Sequence, residues 1–146
     1  MARKSKVMGA AELSKRLKAI PEEVRKASYD AALRAGERIA QDMRALAPVS
    51  KDGSHGKPPG TLRDSITVTE GGKKPPSYSQ GGAGAIPENA VAVTAGNSGA
   101  RYAHLVEFGT SRAEAQPYFL PAWRSNRGRA RRSINAAIGR AIRKAR

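Results

Sequence analysis

Apolar residues recur at helical spacing from Leu13 through Leu17, Ile20 and Val24, continue as Ala27, Ala31 and Ala35, and run on to Ile39, Met43 and Leu46. Pro21 interrupts the run. Proline fits best as the first residue of a helix, where its missing N–H costs nothing, and Glu22 and Glu23 then sit at the favourable positive end of the dipole. The pattern predicts a short helix over 10–19 and a long one over 21–46, stopped by Ala47-Pro48. Ala31, Ala32, Ala35, Gly36 and Ala40 leave room for another element to come close to the long helix, as in ordinary core packing.

Residues 48–60, "PVSKDGSHGKPPG", have the composition of a loop. "TLRDSITVTE" opens as a turn and becomes a strand, with Ile66 and Val68 on one face and Thr67 and Thr69 on the other. "NAVAVTAG" is a second strand with Val91 and Val93 on one face, so the two strands form an antiparallel hairpin. Its tip is the Gly/Pro-rich stretch 71–88, a long loop or arm of the kind that is usually functional or mobile in a compact domain. "RYAHLVEFGT" predicts a short helix anchored by Tyr102, Leu105, Val106 and Phe108, with Gly109 as an αL cap. From Pro117 to residue 146 one amphipathic helix is expected, its stripe made by Trp123, Ala130, Ile134, Ala137, Ile138, Ala141, Ile142 and Ala145. The fold class is α+β: a small antiparallel sheet packed by a long N-terminal helix and a long basic C-terminal helix.

Composition narrows this. With 146 residues, 39% apolar and 5% aromatic, the chain is expected to form one domain over 1–146 with a small core, the kind of chain that completes its burial by assembling with copies or partners. Charge is the strongest feature: 27 Lys and Arg face 12 Asp and Glu, a net +15. Such an excess points to a polyanion or an acidic partner, with a merely solvated basic face as the alternative. In the last helix Arg124, Arg127, Arg129, Arg131, Arg132, Arg140, Arg143, Lys144 and Arg146 occur without a single acid, more than a helix C-terminus needs. Residues 1–9 are expected to be a flexible basic N-terminus. No cysteine is present, which excludes disulfides and thiolate chemistry. No apolar run reaches the ~20 residues of a membrane helix, and the basic start is not followed by a secretion-type apolar region. The expectation is a soluble protein made in the cytosol, without membrane contact.

His104 and Glu107 lie three residues apart and could meet on one helix face as an acid-base pair. Nothing completes a site around them: no nucleophile motif, phosphate loop or second carboxylate accompanies the pair, so no catalytic residue and no enzyme activity is expected. Two histidines without cysteine make no recognisable metal set, and no cofactor is implied. Phosphate contacts are better supplied, by Arg124, Arg127, Arg129, Arg131, Arg132, Arg140, Arg143 and the lysines at 73 and 74. No base-reading motif appears, so such contacts would be to the backbone alone.

The stretch "ARYAHLVEFGTSRAEAQPYFLPAW" at 100–123, preceded by "GTLRDSI" at 60–66, resembles the signature of the phage HK97 gp10-like family over roughly 10–146. The matching residues are Tyr102, Val106, Glu107, Phe108, Gly109, Thr110, Pro117, Phe119 and Trp123, read as the joint tying the last helix to the sheet, with Phe108 and Trp123 in the core. The long insert at 71–88 and the very basic C-terminus depart from the family pattern. The resemblance implies a structural virion protein of the head-tail junction, a neck or tail-completion (tail terminator-like) subunit made in the bacterial cytoplasm. It implies a homo-oligomeric ring, a hexamer or dodecamer, between head-closure and tail-terminator or tail-tube proteins, with genomic DNA in the lumen. In that role the arm carrying Lys73, Lys74 and Tyr78 reaches a neighbour and orders on assembly. The rival is a small basic protein that binds nucleic-acid phosphates without sequence preference.

Overall fold

The computed structural model describes residues 21–53, 56–79 and 84–144. The expected helix over 10–19, the basic segment 1–9, and Ala145 and Arg146 lie outside the described residues. The element order is α1 (Glu22–Leu46), α2 (Thr61–Asp64), β1 (Thr67–Thr69), β2 (Ala92–Thr94), α3 (Ala103–Phe108) and α4 (Phe119–Lys144). This is the α+β arrangement: two long helices and a small two-stranded antiparallel sheet.

Pro21 caps α1 from outside, its carbonyl accepting from the amides of Val24 and Arg25 at 3.0 and 3.2 Å. At the other end Ala47 turns extended (φ −62°, ψ 126°), as a residue before proline must. The buried side of α1 is Val24, Ala31, Ala35, Gly36, Ile39, Ala40 and Met43, and α4 packs along it. The small residues at 31, 35, 36 and 40 do admit close neighbours. A Cβ placed on Gly36 would lie 3.2 Å from Val91 and within 3.6 Å of Val68 and Val93, so the valine face of the sheet rests on this glycine.

In the hairpin Thr67 pairs with Thr94, Val68 with Val93, and Thr69 with Ala92. A two-stranded ribbon is marginal on its own in water, and here α1 supplies the missing layer. The alternation is less clean than expected. Ile66 is buried just before β1, while Thr69 and Thr94 on the other face are buried as well.

The "GTLRDSI" segment joins helix to sheet residue by residue. Gly60 adopts φ 83°, a left-handed conformation that opens α2. Leu62 and Ile66 enter the core. The fully buried Ser65 donates its hydroxyl to the Leu62 carbonyl at 2.6 Å and accepts from the Gly96 amide at 3.0 Å, fastening α2 to the end of β2. Arg44 donates to the Ile66 carbonyl at 2.8 Å and ties the end of α1 to the same place. The core that results joins Ile39, Ala40 and Met43 to Leu62, Ile66, Ala95, Ala103, Tyr118 and Ala122.

Candidate functional site

The join between α3 and α4 is built on one carboxylate. Glu107 is only 6% exposed, and its oxygens accept hydrogen bonds from the amides of Tyr118 (2.8 Å), Phe119 (2.9 Å) and Leu120 (2.9 Å). A helix start leaves about four N–H groups without partners. Glu107 satisfies three, and the next residue, Pro121, has no N–H to satisfy. The negative charge also sits at the positive end of the α4 dipole. Tyr118, 1% exposed, locks the joint from the other side by donating its hydroxyl to the Ala103 carbonyl at 3.2 Å. Burial, and then the Glu107 charge, push the Tyr118 phenol well above its ordinary range. Burial likewise raises the Tyr102 phenol.

His104 does not join Glu107. Both carboxylate oxygens are taken by the amides of α4, and the buried His104 Nδ1 has no hydrogen-bond partner among the described residues. Tyr118, at the centre of the joint, was missed in favour of its neighbour Phe119. Its position directly before the amphipathic run, opposite a glutamate eleven residues back, was the available signal.

Two aromatic residues expected in the core are corrected. Phe108 is 70% exposed and Trp123 is 44% exposed. On α3 the inward positions are Ala103 and Glu107, so Leu105 and Phe108 point outward. On α4 the seam against α1 runs through Ala122, Asn126 and Ala137, which turns Trp123 aside. Asn126, also overlooked, donates to Asp42 on α1 at 2.6 Å and to the Ala122 carbonyl at 2.8 Å. Phe119 is partly buried and meets Tyr118 edge-on at 6.4 Å. Val106 and Tyr102 pack on the core from its rim.

Gly109 ends α3 with φ 75° and ψ 177°: a positive φ as expected, but not the αL cap. A side chain there would also strike the backbone of Ala115 at 2.7 Å. From Thr110 to Pro117 every residue is exposed, yet the segment is held in one shape. The Thr110 amide donates to the Ala113 carbonyl, the amides of Arg112 and Ala113 donate to the Thr110 hydroxyl, and Gln116 donates back to Val106 at 2.8 Å. Pro117 is exposed just before α4, which starts at Phe119, two residues later than expected.

Trp123 forms a wall of an open groove between α1, the sheet and α4, with Gly36, Ile39, Val91, Val93 and Ile134 on its apolar sides and Arg127 and Arg131 at its edge. The arm begins as a continuation of the hairpin: Gly72 donates to Ile86, Ile86 donates to Lys73, and the Gly71 amide donates to the Tyr29 hydroxyl. Lys73 pairs with Glu70 at 2.6 Å, a contact that raises its pKa, while Lys74 is exposed without being part of that pair. Tyr78 is 56% exposed, with one face of its ring covered. The Arg101 guanidinium lies 3.8 Å from its ring centre, and its backbone has the positive φ of 64° that is rare outside glycine. Residues 80–83 at the far end of the arm lie outside the described residues.

Arg124, Arg127, Arg129, Arg131, Arg132, Arg140 and Arg143 are all exposed along α4. Arg140 and Lys144 border a hollow shared with Glu23 and Asp30 of α1. Among the described residues no group of His, Asp and Glu is arranged to hold a metal, and no helix is long and apolar enough to cross a membrane.

No curated protein and no solved structure matches the chain. A family model does, the one described as "Bacteriophage HK97-gp10, putative tail-component", over residues 11–109, which takes in α1 to α3 and ends on Gly109. That span is more than half of the chain and includes both the "GTLRDSI" turn and the Glu107 half of the joint, so the chain belongs to the HK97-gp10-like family of phage tail components.

Proposed function

We propose that this tail component is a ring-forming subunit of the head-tail junction, a neck or tail-completion protein that joins the head connector to the tail tube around the DNA channel. The observation that carries the reading is the pair of apolar surfaces left open on one subunit. Leu105 and Phe108 form a knob beside a rigid exposed loop, and Trp123 with the valines of the sheet walls a groove elsewhere. A two-fold pairing would seat each knob in the other copy's groove and stop at a dimer, so the ring reading rests on the head-to-tail alternative. A head-to-tail contact that seats the knob of one copy in the groove of the next buries both, and repeating it closes a ring. Six or twelve copies are the expected closures, with head-closure and tail-terminator or tail-tube proteins above and below. The reading assigns the chain no reaction, which is supported by the use of Glu107 as a helix cap.

Native mass spectrometry and negative-stain imaging of the purified protein, alone and with its neck neighbours, test this. A closed ring is expected for the wild type, lost in both Phe108→Ser and Trp123→Ser variants that keep their helical content. A wild type that stays monomeric with its neighbours present, or variants that still form rings, overturns the proposal.

A further inference from the structure

We infer that the outward side of α4 is a binding surface for the phosphate backbone of nucleic acid. The charge of the chain is not spread over it. Residues 1–21 carry six basic and one acidic side chain, residues 22–116 carry 12 basic and 11 acidic, a nearly neutral body, and residues 117–146 carry nine cations and no acid. The matched family segment stops at residue 109, before this helix begins.

Position separates these cations into two groups. Arg140 and Lys144 border a hollow that holds Glu23 and Asp30, together with Arg34, without forming an ion pair to either acid. Arg124, Arg127, Arg129, Arg131, Arg132 and Arg143 have no hydrogen bond or ion pair among the described residues, whose ion pairs are Arg63 with Asp64 and Lys73 with Glu70. Six guanidinium groups held along one rigid helix repel one another until an anion arrives.

The chemistry of the surface favours nucleic acid over an acidic protein. A protein interface needs apolar anchors in its centre. Between the arginines the outer side instead offers Ser125, Ala136 and Gly139, with Gly128, Asn135 and Trp123 along the groove and Ile142, 47% exposed, near the C-terminal end. Gly128 and Gly139 serve no packing inside the subunit, because an added Cβ would meet only the tips of Arg132 and Arg143 at 3.5 and 3.6 Å. What remains is a low surface studded with forked donors, the geometry that suits phosphate oxygens. At 1.5 Å per residue the 26 residues of α4 reach ~39 Å, roughly eleven base pairs of duplex. Beyond the arginines, Ser125 and Asn135 are too few to read base edges along a duplex, so contact is with the backbone. The inference does not depend on ring formation, since a single subunit carries the whole surface.

The test is fluorescence anisotropy with two labelled 30-base-pair duplexes of unrelated sequence, over a salt series, at protein concentrations where light scattering shows one species. If about five arginines reach phosphates, the slope of log K against log salt is about −4.5, equal for both duplexes. Arg124→Gln/Arg131→Gln/Arg132→Gln, checked for helical content, is expected to lose at least tenfold in affinity and to flatten the slope by about 2.7, whereas Arg140→Gln/Lys144→Gln changes either little. Polyglutamate serves as the acidic-polypeptide probe and is expected to compete poorly. Triple-variant binding equal to wild type, a strong preference for one duplex, or displacement by polyglutamate as effective as by unlabelled DNA each overturns the inference. Repeating the series with Phe108→Ser, expected to lose the ring, shows whether binding needs assembly, and a wild type that binds DNA without ever forming rings leaves this inference standing when the ring reading has failed.

Discussion

Replacing Glu107 probes the element on which the placement of α4 depends. The side chain is 6% exposed and accepts three amide hydrogen bonds at 2.8–2.9 Å. Bonds to a charged partner contribute about 1.5–3 kcal/mol each, and a negative charge at a helix N-terminus adds up to ~1 kcal/mol or more. The three do not add in full, because Phe119 and Leu120 are only partly buried and water can reach their amides once the carboxylate is gone. Glu107→Ala is therefore expected to cost about 3–5 kcal/mol, a large share of the ~5–15 kcal/mol that holds a domain of this size together. Glu107→Gln keeps the shape and one acceptor oxygen but turns an NH₂ toward an amide, and about 2–3 kcal/mol is expected. Urea unfolding followed by circular dichroism gives the energies. Hydrogen exchange gives the location: the amides of Tyr118, Phe119 and Leu120 lose protection before the rest of α4. A cost below about 1 kcal/mol for Glu107→Ala, or unchanged exchange at those three amides, refutes the capping role.

Phe108→Ala is expected to change stability by no more than about 0.5 kcal/mol, because the ring is mostly in solvent; a loss near the ~3–5 kcal/mol of a core phenylalanine contradicts the exposure. Alkaline titration tests Tyr118. Its folded pKa is raised above the ordinary value of 10.0, so the stability it adds is complete below pH 10 and is lost as pH climbs beyond. Its phenolate absorbance is expected only together with loss of helical signal, and ionisation in an intact fold near pH 10 contradicts the burial. Gly128→Ala is expected to raise stability by ~1 kcal/mol and the melting temperature by about 2–4 °C, since helix propensity rises with nothing to clash against; a fall reveals packing not accounted for. Deleting residues 75–85 is expected to leave the α-helical signal and cooperativity intact, because the core of the hairpin is the 67–69 and 92–94 ladder seated on Gly36; an unfolded product contradicts that.

The long helices were legible because their apolar residues repeat over several turns, and Pro21 and Ala47-Pro48 mark the ends of α1. The hairpin was legible from its valines, and the alanines of α1 marked a side open to close approach without naming α4 as the element that takes it. What misled was the assignment of side chains within the motif. Residue type alone places aromatic residues in the core, but direction on a short helix is set by which residue must face inward. On α3 that residue is Glu107, drawn in by the bare amides of a helix eleven residues later. Turning Glu107 inward turns Phe108 outward. Likewise Trp123 was placed in the apolar stripe, whereas the tight α1 seam accepts Ala122 and the hydrogen-bonded Asn126. A charged or amide side chain that is buried because it satisfies backbone groups elsewhere leaves no periodic trace. The folding back of Tyr78 onto Arg101 depends on a long-range cation–ring contact that composition does not encode.

The most direct measurement of the ring account is a cryo-electron microscopy map of the particle neck at side-chain resolution. The account predicts a closed ring of six or twelve copies of this chain at the head-tail junction, with Phe108 of each copy buried against Trp123 and the sheet of the next. A neck without this chain, or a ring in which Phe108 still faces solvent, contradicts it.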